Sequence, residues 1–149
     1  MELLKVPNEI LTAKAEPVMD IEPLKEIFPE MVGTIIQNGL VGLAGNQVGI
    51  LQSVFVMNMG ENWQAFINPV IKRHKDKGTS WDWEGCGSIP NLLCFVERHN
   101  SITVNYTSTD GESKSLDLSG YLARIAQHES HHLQGILITD IARERRRIK

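Results

Sequence analysis

The amino-acid sequence predicts an α+β domain in which antiparallel or mixed β-sheets pack around a central C-terminal helix, with a further helix near the N-terminus. Three observations predict it. Apolar residues recur at helical spacing near both ends of the chain, short runs rich in Val, Ile and Phe lie between them, and an Asp-Gly pair divides two alternating runs as a hairpin turn would. With 149 residues, 42% of them apolar, the chain fits one domain over 1–149 that can bury its own core.

The first element comes after an irregular start containing Pro7 and Pro17. Leu24, Ile27, Phe28, Met31 and Ile35 predict a helix from Ile21 to Gln37. Pro29 and Gly33 predict a kink or two short pieces, because proline lacks an N–H and crowds the preceding turn. Gly39 suits the helix exit. Strands are predicted at Ser53 to Met57, Ala65 to Ile71 and Ser101 to Tyr106. Asp110-Gly111 joins Ile102-Thr103-Val104 to Leu116-Asp117-Leu118 as a hairpin. His74 to Thr79 reads as an exposed loop, with Trp81 and Trp83 beyond it. From Ser119, a suitable N-cap, Leu122, Ile125, Ala126 and Leu133 predict the second helix, which Gly135 ends.

Charge and hydropathy narrow the function. Fifteen basic and 18 acidic residues leave a net charge of -3, which supplies no general attraction for DNA or an anionic membrane. The sequence shows no apolar run near the ~20 residues of a membrane helix and no signal-peptide order at its start, so a cytoplasmic protein is expected. Two cysteines make a weak disulfide framework. Cys94, between Leu93 and Phe95, reads as core, whereas Cys86 lies between glycines.

The strongest chemical signal is His128-Glu129-Ser130-His131-His132 on the last helix. Histidines four apart lie about 40° apart around the axis, so His128 and His132 can meet one ion, and Glu129 can handle the proton of an attacking water. His131, at i+3, is an alternative second ligand. A catalytic ion usually takes three protein ligands and keeps one position open. Cys86, in Glu84-Gly85-Cys86-Gly87-Ser88, is the best third candidate because its flanking glycines leave a thiolate accessible. Gly42 to Gln47 is rich in small residues, and the Gln47 amide could donate to an oxyanion, although a tight packing turn explains the segment equally well.

Taken in order, Leu40 to Gln47, Glu84 to Ser88 and Gln127 to His132 resemble the three signature motifs of the peptide deformylase family, Gly-x-Gly-Leu-Ala-Ala-x-Gln, Glu-Gly-Cys-Leu-Ser and Gln-His-Glu-x-Asp-His. The similarity extends from about Val6 to Asp140 and resembles a short, bacterial or phage-encoded form. The resemblance implies one divalent ion held by Cys86, His128 and His132, ferrous iron first, with zinc, nickel or cobalt as alternatives. It implies removal of the formyl group from N-formylmethionyl peptides of nascent proteins: water activated by the ion attacks the formyl carbon and formate leaves. Glu129 would be general acid and base, with Gln47 and the Gly87 N–H as oxyanion donors. The peptide would add to the sheet around Val41, Gly42 and Gly85, with Tyr121, Ile125 and the stem of Arg124 lining the methionine slot.

Departures from the family pattern bear on the site. Leu40 stands for the first glycine, Gly45 for the second alanine, Gly87 for leucine and His131 for aspartate. That aspartate would pair with an arginine such as Arg98, so His131 bears on the support behind the ligands. The cluster from Ala142 to Lys149 reads either as a contact for ribosomal RNA or as a solvated tail over about 141–149. A monomer is expected. Other readings stay open: a metalloprotease, a cysteine hydrolase using Cys86 with His128, a structural metal site, or a decayed deformylase fold that binds formylated peptides or metal without efficient turnover.

Overall fold

Strands β2 (Val54–Asn58) and β3 (Trp63–Arg73) form the centre of a sheet covered on both faces, which explains why Val54-Phe55-Val56-Met57 is apolar without alternation. The structure is a computed structural model that describes residues 1–148. One sheet has the order β1-β2-β3-β6-β7, with β1 at Gly42–Ala44, β6 at Ser101–Thr107 and β7 at Ser113–Ser119. The second has the order β4-β5-β8, with β4 at Thr79–Cys86, β5 at Ile89–His99 and β8 at Glu144–Arg147. All strand pairs are antiparallel.

Helix α1 (Leu24–Gln37) and helix α2 (Gly120–Leu133) cover opposite faces of the larger sheet. Successive strand side chains point to opposite faces, so Val56 packs with Met31 and Ile35 of α1, whereas Phe55 and Met57 pack with Ala123, Ile125 and Ala126 of α2. Phe55 stacks on Phe66 and Tyr106 meets Phe66 at a tilt of 56°, with ring centroids 4.8 and 4.5 Å apart. The smaller sheet buries Cys94 and Val96 against Leu11, Leu137 and Ile138, the last at the start of α3 (Ile138–Ile141). Helix α2 lies between the two sheets, in contact with β1, β2 and β7 on one side and β5 on the other. Burial of side chains such as Ile125 and Leu133 on its apolar stripe contributes about 1.5–3 kcal/mol each.

Two features fix the span of α2. Ser119 is its N-cap with extended backbone, although its side chain makes no capping hydrogen bond. At the other end Gly135 adopts φ +75°, and Ile136 and Gly135 donate back to the carbonyls of His131 and His132. A Cβ at Gly135 would also lie 2.5 Å from the Thr12 carbonyl oxygen.

Some sequence expectations need correction. Helix α1 begins at Leu24, after Pro23, instead of at Ile21, and it runs through Pro29 as one segment. Loss of one N–H leaves the helix intact because Leu24, Met31, Thr34 and Ile35 are buried on both sides of the proline. The tail reading needs correction for 144–147: these residues are exposed, but they are not frayed, since they form β8, pairing Arg147, Arg146, Arg145 and Glu144 with Leu92 to Phe95. Arg143 and Arg146 lie over the Trp81 and Trp83 rings, 5.5 and 4.5 Å from the centroids. Lys149, part of the same expected tail, lies outside the described residues. The charged stretch before Thr79 contains a short 3-10 turn, Lys75–Lys77, and strands β4 and β5 have no counterpart among the predicted elements.

Candidate metal centre and its groove

The end of β4 and the middle of α2 meet through Cys86, His128 and His132, whose candidate ligand atoms all lie within 4.8 Å of one another. The Cys86 Sγ is 3.4 Å from the His132 Nε2. Strand register helps to place the thiol. Glu84 pairs with Cys94, but Cys86 pairs with Ile89, so the ladder is irregular just where the chain turns through Gly87 and Ser88. Such irregularities redirect side chains out of a regular pleat. Cys86 is partly exposed, whereas His132 is buried.

Behind the first imidazole stands a residue that sequence reading gave no role. Glu84 accepts from the His128 Nδ1 side at 2.9 Å, from Arg98 Nε and NH2 at 2.9 Å each, and from Arg124 NH1 at 2.7 Å. This fixes His128 with Nδ1 engaged and Nε2 left for a ligand bond, an arrangement that orients metal-binding histidines and raises their basicity. Burial works to raise the Glu84 pKa, but the Arg98 and His128 hydrogen bonds and charges hold it well below the usual carboxylate range. Arg124 also donates to the Val96 and Ser80 carbonyls, so its guanidinium clamps α2 to β4 and β5 while its stem lines the groove. Only the Glu-Gly-Cys context hinted at Glu84; its partners sit 14 to 44 residues away.

Electrostatics at the centre favour a cation. Burial lowers the His128 pKa, yet hydrogen bonding to Cys86 and Glu84, with the Glu129 charge, carries it up to about 10 in the polypeptide alone. Burial and the neighbouring His128 charge hold His132 well below its ordinary value, so it is neutral and able to donate a lone pair. Glu129 is 4% exposed, its Oε1 has no hydrogen-bond partner, and burial pushes its pKa up to about 7. A cysteine sulfur, two imidazoles and an adjacent unpartnered carboxylate oxygen are a donor set that fits a divalent transition metal. His131 turns elsewhere: its Nδ1 accepts from Arg98 NH1 at 2.7 Å, and it is not part of the converging group.

Gln47 is buried beside the thiol. Its Oε1 accepts from the Ala44 N–H at 3.0 Å, and its Nε2 donates to Ser88 Oγ at 3.1 Å and lies 3.8 Å from Cys86 Sγ. A groove of about 440 Å3 opens onto these groups. It is lined by Val41, Gly42 and Gly85, by Tyr121, Arg124 and Ile125 of α2, and by Gln47 and Gly87. Within it, Gly42 approaches the helix so closely that a Cβ would lie 2.8 Å from Glu129 Oε2 and 3.0 Å from Ile125 Cγ2. Sequence reading gave Gly42 to the substrate alone; the structure also makes it the seat of the Glu129 carboxylate. Tyr121 is 65% exposed at the rim, and Leu40 and Trp83 complete walls that were not anticipated.

Comparison with known proteins gives one family. The sequence model described as Polypeptide deformylase matches residues 1–147. A peptide deformylase of Thermotoga maritima is 42% identical over 134 residues, covering 89% of this chain and 81% of the relative. The crystal structure of peptide deformylase from Thermotoga maritima superposes with a TM-score of 0.90 at 38% identity, over 96% of this chain and 97% of that one. A peptide deformylase from Synechococcus elongatus in complex with actinonin gives 0.91 at 32% identity, over 96% and 79%.

Proposed function

The chain belongs to the peptide deformylase family, and from that premise we propose that its groove receives an N-formylmethionyl peptide at the start of a nascent protein and releases formate. The family makes it a metal-dependent hydrolase. The observation that supports the assignment of roles is the convergence of Cys86, His128 and His132 beside the unpartnered Glu129 carboxylate. Ferrous iron is the proposed native metal; zinc, nickel and cobalt suit the same donors. When bound, the ion would acidify a water and polarise the formyl oxygen.

The polypeptide's share of the chemistry comes from its own groups. Glu129, with its pKa near 7, accepts a proton from the attacking water and returns it to the departing amine, because burial brings its basicity close to working pH. Gln47 Nε2, held in place by the Ala44 N–H on its other atom, offers a hydrogen bond to the oxyanion, and the Gly87 N–H offers another. Glu84 and its two arginines keep His128 oriented throughout. The backbone around Val41, Gly42 and Gly85 takes the peptide as an added strand, and Tyr121, Ile125 and the Arg124 stem receive the methionine.

The wider setting is proposed on the same footing. The chain acts as one domain and a monomer in the cytoplasm, with no DNA or membrane partner; no helix among the described residues is long and apolar enough to cross a membrane. The arginines of β8 offer phosphate contacts to the ribosome. Deleting the segment would also strip β5 of a partner strand, so Arg147→Glu is the cleaner probe: ribosome association should weaken, and unchanged association would remove that contact.

The direct test is anaerobic purification, metal analysis and formate release from formyl-Met-Ala-Ser by wild type and Glu129→Ala. The variant should keep its ion and lose turnover. Unaltered turnover would remove Glu129 from the reaction, and a wild type that releases no formate would overturn the assignment.

A further inference from the structure

Two positions that depart from the family pattern, Leu40 and Gly87, touch across the groove. A Cβ at Gly87 would lie 3.0 Å from both Leu40 Cδ1 and Leu40 Cδ2, and 3.2 Å from Leu3 Cδ2. These side-chain ends would have to shift by a few tenths of an ångström, within the limits their surroundings set. The Leu40 N–H donates to the Ile35 carbonyl at 2.9 Å, and its side chain packs among the cluster formed by Met31, Ile35 and Leu43. Gly87 comes directly after the ligand Cys86 and precedes Ser88, whose carbonyl accepts from the Val6 N–H at 2.9 Å and whose hydroxyl accepts from Gln47. Both residues still line the open groove. The apolar surface that faces a peptide beside Gly87 therefore comes from the segment that leads into β1.

We propose that Leu40 is a specificity-determining residue, which fills the space above Gly87 and forms the apolar wall for the peptide residue that comes after the formylated one. The inference rests on the proposed function, in which the peptide runs past Val41 and Gly42 with its formyl carbon at Glu129. Gly42 marks that point, since it abuts the Glu129 carboxylate. Leu40 is two residues earlier, across the bend at Val41, and so at most about 7 Å away. That distance is also the reach from a formyl carbon to the second residue of an extended peptide. Because the wall is two methyl groups on a side chain held from behind, it discriminates by shape, and the same methyl groups crowd any side chain at residue 87.

The test is a cycle of Leu40→Ala, Gly87→Ala and the double variant, read by melting temperature and by kcat/KM on formyl-Met-Ala-Ser, formyl-Met-Leu-Ser and formyl-Ala-Ala-Ser. Leu40→Ala should raise the preference for leucine over alanine at the second position by about fivefold. It should leave the preference for methionine over alanine at the first position unmoved, which a general loosening of the fold would not do. Gly87→Ala should lower the melting temperature and kcat/KM, and adding Leu40→Ala should recover most of both losses. Additive losses, or an unmoved second-position preference in an enzyme that turns over, overturn the proposal alone. Absence of formate release by the wild type overturns the functional reading, and this inference with it.

Discussion

Helix α2 separates two cavities of similar volume, about 440 Å3 on the Cys86 side and about 480 Å3 on the other, and their histidines behave in opposite ways. In the first, His128 faces Glu84, Cys86 and Glu129, and its pKa rises to about 10. In the second, His131 shares its surroundings with Arg73 and Arg98, and burial together with those positive charges takes it down to about 4. The two residues are three positions apart on one helix. Volume thus fails to separate the cavities; the sign of the local field and the convergence of ligand atoms do so. The larger cavity holds a histidine that accepts a hydrogen bond from arginine, whereas the smaller one opens onto the converging ligand atoms of Cys86, His128 and His132.

The comparison can be broken first at the groove. Gln47→Ala should cost about 10² to 10³ in kcat, on the order of 3 kcal/mol, with the metal content unchanged; equal rates in steady-state assays would remove Gln47 from oxyanion stabilisation. Glu84→Gln should weaken metal affinity about 10- to 100-fold, measured by competition with a chelator. It should also cost about 3–5 kcal/mol of stability, since Arg98, only 3% exposed, would lose its charged partner. Affinity equal to wild type would show that His128 needs no support from behind.

A pH series sharpens the same contrast. In chelator-treated protein His128 titrates near 10 when folded against 6.5 ordinarily, and Glu129 near 7 against 4.5. Both folded values are raised, so the His128 contribution is complete below pH 6.5 and lost as pH climbs toward 10, and that of Glu129 is lost as pH climbs through 7. The melting temperature of the stripped protein should therefore fall from pH 6 to pH 10, and more steeply than that of the metal-loaded protein; parallel curves would contradict the assignment. The smallest effect is expected on the far side of the helix: His131→Asn should change kcat/KM by less than about threefold, ~0.7 kcal/mol, in the same formate assay.

How much the sequence revealed depends on how local the information is. The two long helices and strands β2, β3, β6 and β7 emerge from apolar spacing and from Asp110-Gly111, all readable within a short window. Strands β4 and β5 were hidden because Trp81, Asp82, Trp83 and Glu84 mix charge and aromatics in the first, and Pro90 and Asn91 interrupt the apolar run of the second. Strand β8 was hidden for a different reason. Its arginines look like a frayed tail unless one knows that Leu92 to Phe95 of β5 pair with them and that Trp83 of β4 receives Arg146. The same limit applies at the centre. Cys86, His128, Glu129 and His132 carry their chemistry in their side chains and spacing, whereas the function of Glu84 exists only through Arg98, Arg124 and His128 once the fold has assembled them. Leu40 and Gly87 read as isolated departures in sequence and as one contact in space.

The measurement closest to the centre of the account is X-ray absorption on zinc-loaded wild-type protein and on Cys86→Ser. Wild type should show one sulfur at about 2.3 Å and two imidazole nitrogens at about 2.0–2.1 Å. The variant should lose the sulfur shell while Cys94, fully buried in the core, supplies none in its place. A sulfur shell that survives in Cys86→Ser, or a wild-type ion bound without sulfur, would contradict the assignment.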